Sequence, residues 1–358
     1  MKTVKVMVTS AGGIVAQGII KSLKYHNGSE SKKRHKYKIL GTDISYDAAG
    51  LYRCDKFAIV KKPDQKDYIR NLIDICSQEK IHAIFVGSDI ELPILCKTKD
   101  LLEDRTGAKV ITSQENIVEM CRDKYLTNEF LIKNNLNSIP TCLPAEADLF
   151  LERNHFPLVV KPREGFGSKL LSIVHNKDEL EFAVKTIEKI GWRPMIQKYL
   201  QNDALEFTTG ITLNYYTKKI MSIITLKKIL KHGQTYKAFI DRYPKVEKIC
   251  REVVGKLGAV GPLNIQTRID PDDNKIKIME INPRFSASCP MRTTAGINEP
   301  DIMIRNILFK EKIKIKKYRL LVCMRYWEET YVDLADYNKI RSNRTKIKSL
   351  KSEKLNYF

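Results

Sequence analysis

Short apolar segments alternate with helical segments over the first 112 residues, and this order constrains the fold more than any other feature of the sequence. The apolar segments show little alternation with polar residues, which is typical of parallel strands buried on both faces. We predict strands at Val4–Thr9, Tyr37–Thr42, His82–Gly87 and Lys109–Thr112, with helices at Ile14–Leu23, Asp67–Ser77 and Leu92–Leu102. This alternation predicts a doubly wound parallel sheet, so we assign a Rossmann-like α/β domain to residues 1–112.

The chain after residue 112 mixes strands and helices less regularly, which predicts an α+β architecture. Helices are predicted at Ile117–Asn134, Lys177–Ile190 and Lys245–Leu257, and strands at Pro157–Lys161, Leu170–Val174, Met195–Lys198, Glu206–Tyr215, Ile220–Thr225, Leu263–Asp270, Lys275–Ile281 and Tyr318–Trp327. We expect one lobe at 113–190, a second at 191–310 and a basic extension at 311–358. From about Asn338 the extension is rich in charge and poor in large apolar residues, so we expect weak order there and no part in catalysis.

The cysteines, the histidines and the apolar segments argue against several functional classes. The eight cysteines form no CxxC pair, which favours free thiols over disulfides or a zinc site. The six histidines show no HxxxH or HExxH spacing, which argues against a transition-metal site. No apolar segment is long enough to cross a bilayer, and the amino terminus lacks the pattern of a signal peptide. We therefore expect a cytoplasmic protein without a membrane span.

The formal net charge of +21 raises the question of a nucleic-acid partner. Part of the excess lies at the end of the chain, where Lys310–Phe358 contains 14 Lys and Arg against 6 Asp and Glu. The sequence shows no basic repeat interleaved with aromatic residues. An anionic small molecule accounts for a basic cleft, so nucleic acid is disfavoured as the main partner.

The strongest local signal is a pair of polar strand segments, Asn264–Arg268 and Met279–Arg284, on either side of a turn at residues 271–274. Side chains two positions apart share a face of a strand, so each segment presents a polar face. If the two strands pair, Gln266, Glu280 and Asn282 gather amide and carboxylate oxygens, which suit Mg²⁺ held against phosphates. Arg284 can neutralise phosphate charge beside them. The alternative is a polar sheet face that is simply open to water.

Several other motifs are weaker evidence for a nucleotide site when each is taken alone. The apolar strand before Lys161 leads into a glycine-containing loop at Arg163–Ser168, which could approach anionic oxygens or be an ordinary loop. Lys124 follows Asp123 near a helix start, and a predicted edge strand at Met195–Leu200 is followed by Glu206. The turn at residues 10–13 does not match GxGxxG in register, which disfavours nicotinamide binding.

The order of these segments resembles the ATP-grasp superfamily over roughly residues 1–310. A lysine is followed by a lysine with a glycine loop, then by QKYL and a glutamate, and finally by NIQ and EINPRFSAS. The likeness is greatest to single-copy proteins similar to the carbamoyl-phosphate synthase large chain, although only one grasp unit is visible. The resemblance implies a Rossmann-like domain that precedes two ATP-grasp lobes, with ATP and Mg²⁺ as cofactors.

The resemblance also implies roles for individual residues. The phosphates of ATP would be held by Lys124, Lys161 and the loop residues Gly165, Gly167 and Ser168. Adenine and ribose would be held by Gln197, Lys198, Leu200 and Glu206, where Gln197 stands in place of a common glutamate. Mg²⁺ would be ligated by Gln266, Glu280 and Asn282, with Arg284 on the phosphates.

The implied activity is that of a ligase that activates a carboxylate as an acylphosphate and joins it to an amine. Arg268 and Arg292 are candidates for binding the carboxylate, with Arg292 at the mouth of the pocket and Lys227 and Lys228 as weaker alternatives. Three other readings stay open: an ATP-dependent carboxylase or other acylphosphate former with a non-amine acceptor, a catalytically silent nucleotide-binding module, and a nucleic-acid-binding protein. A homodimer is an alternative to a monomer.

Overall fold

The computed structural model describes residues 2–28, 35–165, 167, 169–201, 205–231, 234–326 and 328–342. One parallel sheet and two antiparallel sheets organise these residues. No described helix combines the length and apolar character needed to cross a membrane. The predicted combination of an α/β domain with α+β lobes is confirmed.

The first domain is a five-stranded parallel sheet in the order β3-β2-β1-β4-β5. Its strands are β1 Lys2–Val8, β2 His35–Asp43, β3 Lys56–Ile59, β4 Ala83–Phe85 and β5 Lys109–Ile111, and its helices are α1 Ile14–Gly28, α2 Tyr68–Glu79, α3 Leu92–Lys97 and α4 Lys99–Thr106. The four predicted strands and the helices α1 and α2 are present. The helix predicted at Leu92–Leu102 is interrupted at Thr98, and β3 was not predicted.

The second unit is a four-stranded antiparallel sheet in the order β6-β9-β7-β8. Its elements are α5 Glu115–Arg122, α6 Lys124–Lys133, β6 Thr141–Cys142, α7 Ala147–Leu151, β7 Leu158–Pro162, β8 Ser172–Val174, α8 Lys177–Lys189 and β9 Pro194–Lys198. The single helix predicted at Ile117–Asn134 is wrong. Asp123 lies between two helices, where its carboxylate accepts from the N–H groups of Tyr125 and Leu126 and caps α6. Because β9 pairs with β7, this sheet continues beyond the boundary predicted at residue 190.

The third unit is a six-stranded antiparallel sheet in the order β14-β13-β10-β11-β12-β15. Its elements are β10 Glu206–Leu213, β11 Ile220–Lys231, β12 Gln234–Ile240, α9 Pro244–Leu257, β13 Gly261–Ile269, β14 Ile276–Asn282, α10 Cys289–Thr294, α11 Glu299–Phe309, β15 Leu321–Met324 and α12 Leu334–Ser342. The predicted extension at 311–358 contains β15, which joins this sheet by pairing with β12. Residues 338–342 lie in α12, where Ile340 is buried, and residues 343–358 lie outside the described residues, so weak order from about Asn338 stays a prediction.

The first domain is packed against the segment that follows β14. Helix α1 lies against α10 and α11, and their apolar side chains share one core. The hydroxyl of Thr293 lies 2.9 Å from that of Ser22, and the side-chain amide of Asn298 donates to the Ser22 carbonyl over 2.8 Å. This packing holds the amino-terminal end of α1 and the end of β14 at the same side of the molecule.

Candidate active site

A cleft of about 700 Å³ lies where the three sheets meet. One wall is formed by residues that follow the carboxyl ends of β1 and β4, which is where ligands bind in parallel α/β sheets. The opposite wall is a polar face of the large sheet, and the loop after β7 closes one side. Among the lining residues are Gly13, Gly87, Ser88 and Asp89 from the first wall, Gly165 and Gly167 from the loop, and Lys228, Asn264, Gln266, Glu280, Asn282 and Arg284 from the sheet and its end.

The two polar strand segments pair, which is the condition on which the predicted cluster of amide and carboxylate oxygens depended. Gln266 lies opposite Glu280, and Asn264 lies opposite Asn282, across β13 and β14. The amide nitrogen of Gln266 donates to Glu280 Oε2 over 2.8 Å. Within the described chain, Nδ2 of Asn282 is buried without a hydrogen-bond partner. The face therefore offers hard oxygen ligands together with a buried donor that has no acceptor, and this donor set fits Mg²⁺ bound beside an anion.

Arg284 links this face to the first domain through a side chain that the sequence analysis missed. Its guanidinium makes two bonds to Asp89, of 2.6 Å from Nε and 3.0 Å from Nη2, and Nη2 also lies 3.1 Å from Asn282 Oδ1. A role for Arg284 on phosphates would therefore require part of this pair to open. The available signal was the position of Asp89 just after the apolar strand β4, where functional side chains collect.

Glu206 lies at the centre of a buried charge network. Its two carboxylate oxygens contact Lys228 and Arg268, and Arg268 also donates to the Leu200 carbonyl over 2.8 Å. Burial would raise the pKa of Glu206, but the charges of Lys228 and Arg268 outweigh burial and lower it below its usual value. Arg268 is thus held by protein groups, whereas Lys228 also reaches the cleft, where it donates to Gln266 Oε1 over 2.7 Å.

The two lysines assigned to phosphates lie beside the loop after β7. Nζ of Lys124 donates to the Gly165 carbonyl over 3.1 Å, and Nζ of Lys161 donates to Gln197 Oε1 over 2.8 Å. Burial and the nearby charge of Lys124 lower the pKa of Lys161 to about 8, against an opposing effect of Glu280. The side chain of Lys198 is held by Asp270 and Asp272.

Arg292 differs most from its predicted position. It is fully buried beneath the cleft rather than at its mouth, where it bonds to Glu299 over 2.9 Å and to the Ser286 hydroxyl over 2.8 Å. Arg292 lies in the short helix α10 and packs against Gly210 of the large sheet. Ser168 lies outside the described residues.

A parallel-sheet domain is followed by a small and a large antiparallel sheet, and all three contribute residues to the polar cleft. Residues 192–330 match the family described as "ATP-grasp in the biosynthetic pathway with Ter operon". Residues 14–111 match the family described as "PylC-like, N-terminal domain". The chain therefore carries an ATP-grasp domain, and the resemblance predicted from its motifs is confirmed. ATP and Mg²⁺ are the standard cofactors of this family.

Two curated relatives each match slightly more than 60% of the chain. The carbamoyl phosphate synthase large chain of Pasteurella multocida is 23% identical over 240 residues, which cover 63% of this chain and 22% of that protein. The separate carboxyl-terminal section of the Aquifex aeolicus large chain is 22% identical over 233 residues, covering 62% of this chain and 42% of that protein. The chain thus spans less than half the length of these curated relatives.

Solved structures share the fold across almost the whole chain. The Staphylococcus aureus N5-carboxyaminoimidazole synthetase in complex with ADP has a TM-score of 0.69 at 18% identity, over 99% of this chain and 92% of that one. The biotin carboxylase domain dimer of Hydrogenobacter thermophilus 2-oxoglutarate carboxylase, with MgADP and bicarbonate, has a TM-score of 0.68 at 18% identity, over 90% of this chain and 74% of that one.

Proposed function

We propose that this protein is an ATP-dependent ligase that activates a carboxylate as an acylphosphate and joins it to an amine, releasing ADP and phosphate. The observation that carries the proposal is the polar face formed by Gln266, Glu280 and Asn282, which lines the cleft together with Gly165 and Gly167 of the loop after β7. Such a cleft can hold a nucleotide polyphosphate between metal ligands on one side and backbone donors on the other.

The described residues divide the binding of MgATP between the two antiparallel sheets. Lys124 and Lys161 would hold phosphate oxygens beside the loop after β7, while Lys198, Leu200 and Glu206 would hold adenine and ribose. For Glu206 this role would require one of its bonds to Lys228 and Arg268 to open. Gln266, Glu280 and Asn282 would ligate Mg²⁺, which supplies electrostatic stabilisation of the transferring phosphoryl group. The buried N–H group of Asn282 would gain a phosphate acceptor.

The chain itself would position the reactants and exclude water rather than supply a nucleophile. Phosphoryl transfer depends mainly on positioning and on offsetting charge. The thiol that lines the cleft belongs to Cys121, and burial raises its pKa to about 12, which makes it a poor nucleophile. In our proposal the acceptor is a substrate carboxylate, and Lys228 and Arg284 are cations of the cleft that contact the proposed metal ligands Gln266 and Asn282.

The similar proteins support an acylphosphate and leave the final acceptor to experiment. These proteins are a carbamoyl phosphate synthase large chain, an N5-carboxyaminoimidazole synthetase and a biotin carboxylase domain. A carboxylase or another acylphosphate former with a non-amine acceptor is the second candidate.

The Hydrogenobacter neighbour is described as a dimer. For this chain, a homodimer and a cytoplasmic location stay predictions.

The chemical test is to trap the activated carboxylate. We expect the protein, given MgATP, a substrate carboxylate from a panel and hydroxylamine in place of the amine, to form equal amounts of hydroxamate and ADP, because hydroxylamine attacks an acylphosphate. Mass spectrometry of the product formed with natural amines, bicarbonate or alcohols then identifies the acceptor. Phosphate bound covalently to the protein, or ADP formation with every active carboxylate but never hydroxamate, would contradict the proposal.

A second prediction concerns the protonation of Lys161. Because its pKa is lowered to about 8, the side chain is charged below that pH and largely neutral well above it. A bound polyphosphate favours the charged form, so we expect MgATP binding between about pH 8.5 and 9.5 to take up a proton. Calorimetry in buffers with different ionisation enthalpies measures this uptake.

Two variants make the lysine test specific. In Lys161→Arg the guanidinium stays charged over this pH range, so the uptake should disappear while binding persists. Lys189→Arg changes an exposed lysine at the end of α8 and should leave the uptake unchanged. Equal uptake by the wild type and by Lys161→Arg would assign the proton to another group.

A further inference from the structure

One of the cationic side chains in the cleft differs from the others because it has no acidic partner. The described residues place five cations on the cleft wall: Arg122, Arg193, Lys228, Arg284 and Arg325. The first four each form an ion pair with an acidic side chain. Within the described chain, the guanidinium of Arg325 makes a single hydrogen bond, from Nη2 to the carbonyl oxygen of Ala287 over 2.8 Å, and no ion pair.

The register of β15 directs Arg325 toward the cleft. Ala238 of β12 lies opposite both Lys228 of β11 and Cys323 of β15, so these three side chains share one face of the large sheet. Arg325 comes two residues after Cys323, and its backbone N–H donates to the Tyr236 carbonyl over 3.0 Å, which continues the pairing with β12. Side chains two positions apart in a strand share a face, so Arg325 lies on the same side as Lys228.

The charge of Arg325 is partly withdrawn from water. The side chain is half-buried, and burial lowers the pKa of its guanidinium below the ordinary value. An arginine still keeps its proton in a protein, so the group remains a cation. Burying a charge without a partner is costly, and buried charges in proteins are therefore paired. An anionic group of a bound ligand would supply the partner that the described chain does not.

Part of the cleft wall is apolar, although the metal-binding face is polar. Ile14 at the start of α1 is 53% exposed, and Ile90 in the loop after β4 is 57% exposed, and both line the cleft. Their two loops touch, because a methyl group at Gly13 would lie 3.5 Å from the carbonyl oxygen of Gly87. Large apolar side chains that stay exposed inside a cleft are typical of a ligand-binding groove.

Helix α1 brings this apolar wall close to Arg325. A methyl group at Gly18 would lie 3.6 Å from the carbonyl oxygen of Ala287, which is the atom that Arg325 contacts. Ile14 precedes Gly18 by four residues, so the two share a face of α1 and lie about 6 Å apart along its axis. Ala287 also follows Arg284 by three residues, so the space between Arg325 and Ile14 adjoins the metal-binding face.

We propose that Arg325 binds the substrate carboxylate and that Ile14 and Ile90 contact an apolar body attached to it. The substrate is then an organic acid with an aliphatic or aromatic body, since bicarbonate has no apolar group to offer the two isoleucines. The assignment rests on the proposed function, whose carboxylate it identifies. Arg325 takes the role first expected of Arg268 and Arg292, which are both held by acidic side chains of the protein.

The test is calorimetric binding of a graded series of acids to the full-length protein in the presence of MgADP, which requires no turnover. The series is bicarbonate, acetate, butanoate and hexanoate. We expect the affinity to rise about fourfold for each methylene group that is buried, so hexanoate should bind most tightly. Hexanamide has the same body without the charge and should bind about tenfold or more weakly than hexanoate, because it lacks the charged hydrogen bond.

Two variants separate the cation from the apolar wall. Arg325→Gln should weaken hexanoate binding about tenfold or more and leave hexanamide binding almost unchanged, while Arg325→Lys should recover part of the loss. Ile90→Ser should reduce the gain per methylene group without changing acetate binding. Arg319→Gln and Ile132→Ser alter exposed side chains outside the cleft and should bind every acid like the wild type.

Circular dichroism and MgADP affinity establish that each variant is folded. Equal binding of hexanoate by the wild type and by folded Arg325→Gln would overturn the role of Arg325, and so would equal affinity of the wild type for hexanoate and hexanamide. An affinity that does not rise from acetate to hexanoate, or no binding by any acid of the series, would overturn the substrate class. If the acids bind as expected but MgATP and hydroxylamine never yield a hydroxamate from them, the proposed function fails while the carboxylate site stands.

Discussion

Glu280→Gln is expected to lower the rate of ADP formation by about 100-fold or more while leaving the fold intact, a loss of the size seen when a preorganised electrostatic group is removed. The glutamine keeps the shape and one carbonyl oxygen but removes the negative charge that would hold Mg²⁺ against the nucleotide. Glu280 lies on the cleft and its carboxylate is hydrogen-bonded to Gln266, so the substitution exchanges polar groups at a strand position that stays paired.

The measurement is ADP formation in a single turnover at a series of Mg²⁺ concentrations, with the active carboxylate present. Glu252→Gln serves as the matched control because Glu252 is an exposed glutamate on α9 of the same lobe. The control should retain the wild-type rate. If Glu280→Gln also reached that rate at saturating Mg²⁺, its carboxylate would not be required for the chemical step.

Local patterns predicted those parts of the fold that depend on neighbouring residues. The apolar strands of the first domain are buried on both faces, so their sequence alone indicated a parallel sheet. The alternation in Asn264–Arg268 and Met279–Arg284 predicted which side chains share a face, and the pairing of Gln266 with Glu280 agrees with it. These features depend on strand period and burial, and both can be read from residues that are neighbours in the sequence.

Other features depend on partners far away in the sequence. The strand β12 contains Gln234, Lys237 and other polar residues, so its sequence does not indicate a strand. It pairs with β15, which lies more than 80 residues later in the chain. The bond between Asp89 and Arg284 joins residues 195 positions apart. Sequence spacing cannot show such contacts, because they form only when distant parts of the chain pack together.

The burial of Arg292 also depends on residues that the local sequence does not reveal. An arginine after a turn is usually exposed, which made the mouth of the pocket a reasonable expectation. Here Glu299, seven residues later, supplies a carboxylate within the protein, and Ser286 supplies a further oxygen. A buried arginine is tolerated only with such partners, and neither the helix that carries Glu299 nor the segment that carries Ser286 was predicted to approach it.

Gly210→Ala is expected to destabilise the protein by roughly 3–5 kcal/mol, the cost of breaking a buried ion pair. Gly210 lies in the central strand β10, directly beneath Arg292 and Glu299. A methyl group at this position would lie 2.2 Å from Glu299 Oε1 and 2.3 Å from Arg292 Nε, so the pair would have to move. Both side chains are buried, which leaves them no water to replace the lost contact.

The free energy of unfolding from denaturant titration measures the effect, with Gly255→Ala as the control. Gly255 lies within α9, and no atom would lie within 4 Å of a methyl group there, so alanine should stabilise the helix by about 0.5–1 kcal/mol. Arg292→Met should cost less in the Gly210→Ala background than in the wild type, because the same contact would already be lost. Equal stability of Gly210→Ala and the wild type, or additive costs in the double variant, would mean that the Arg292–Glu299 pair does not require a glycine beneath it.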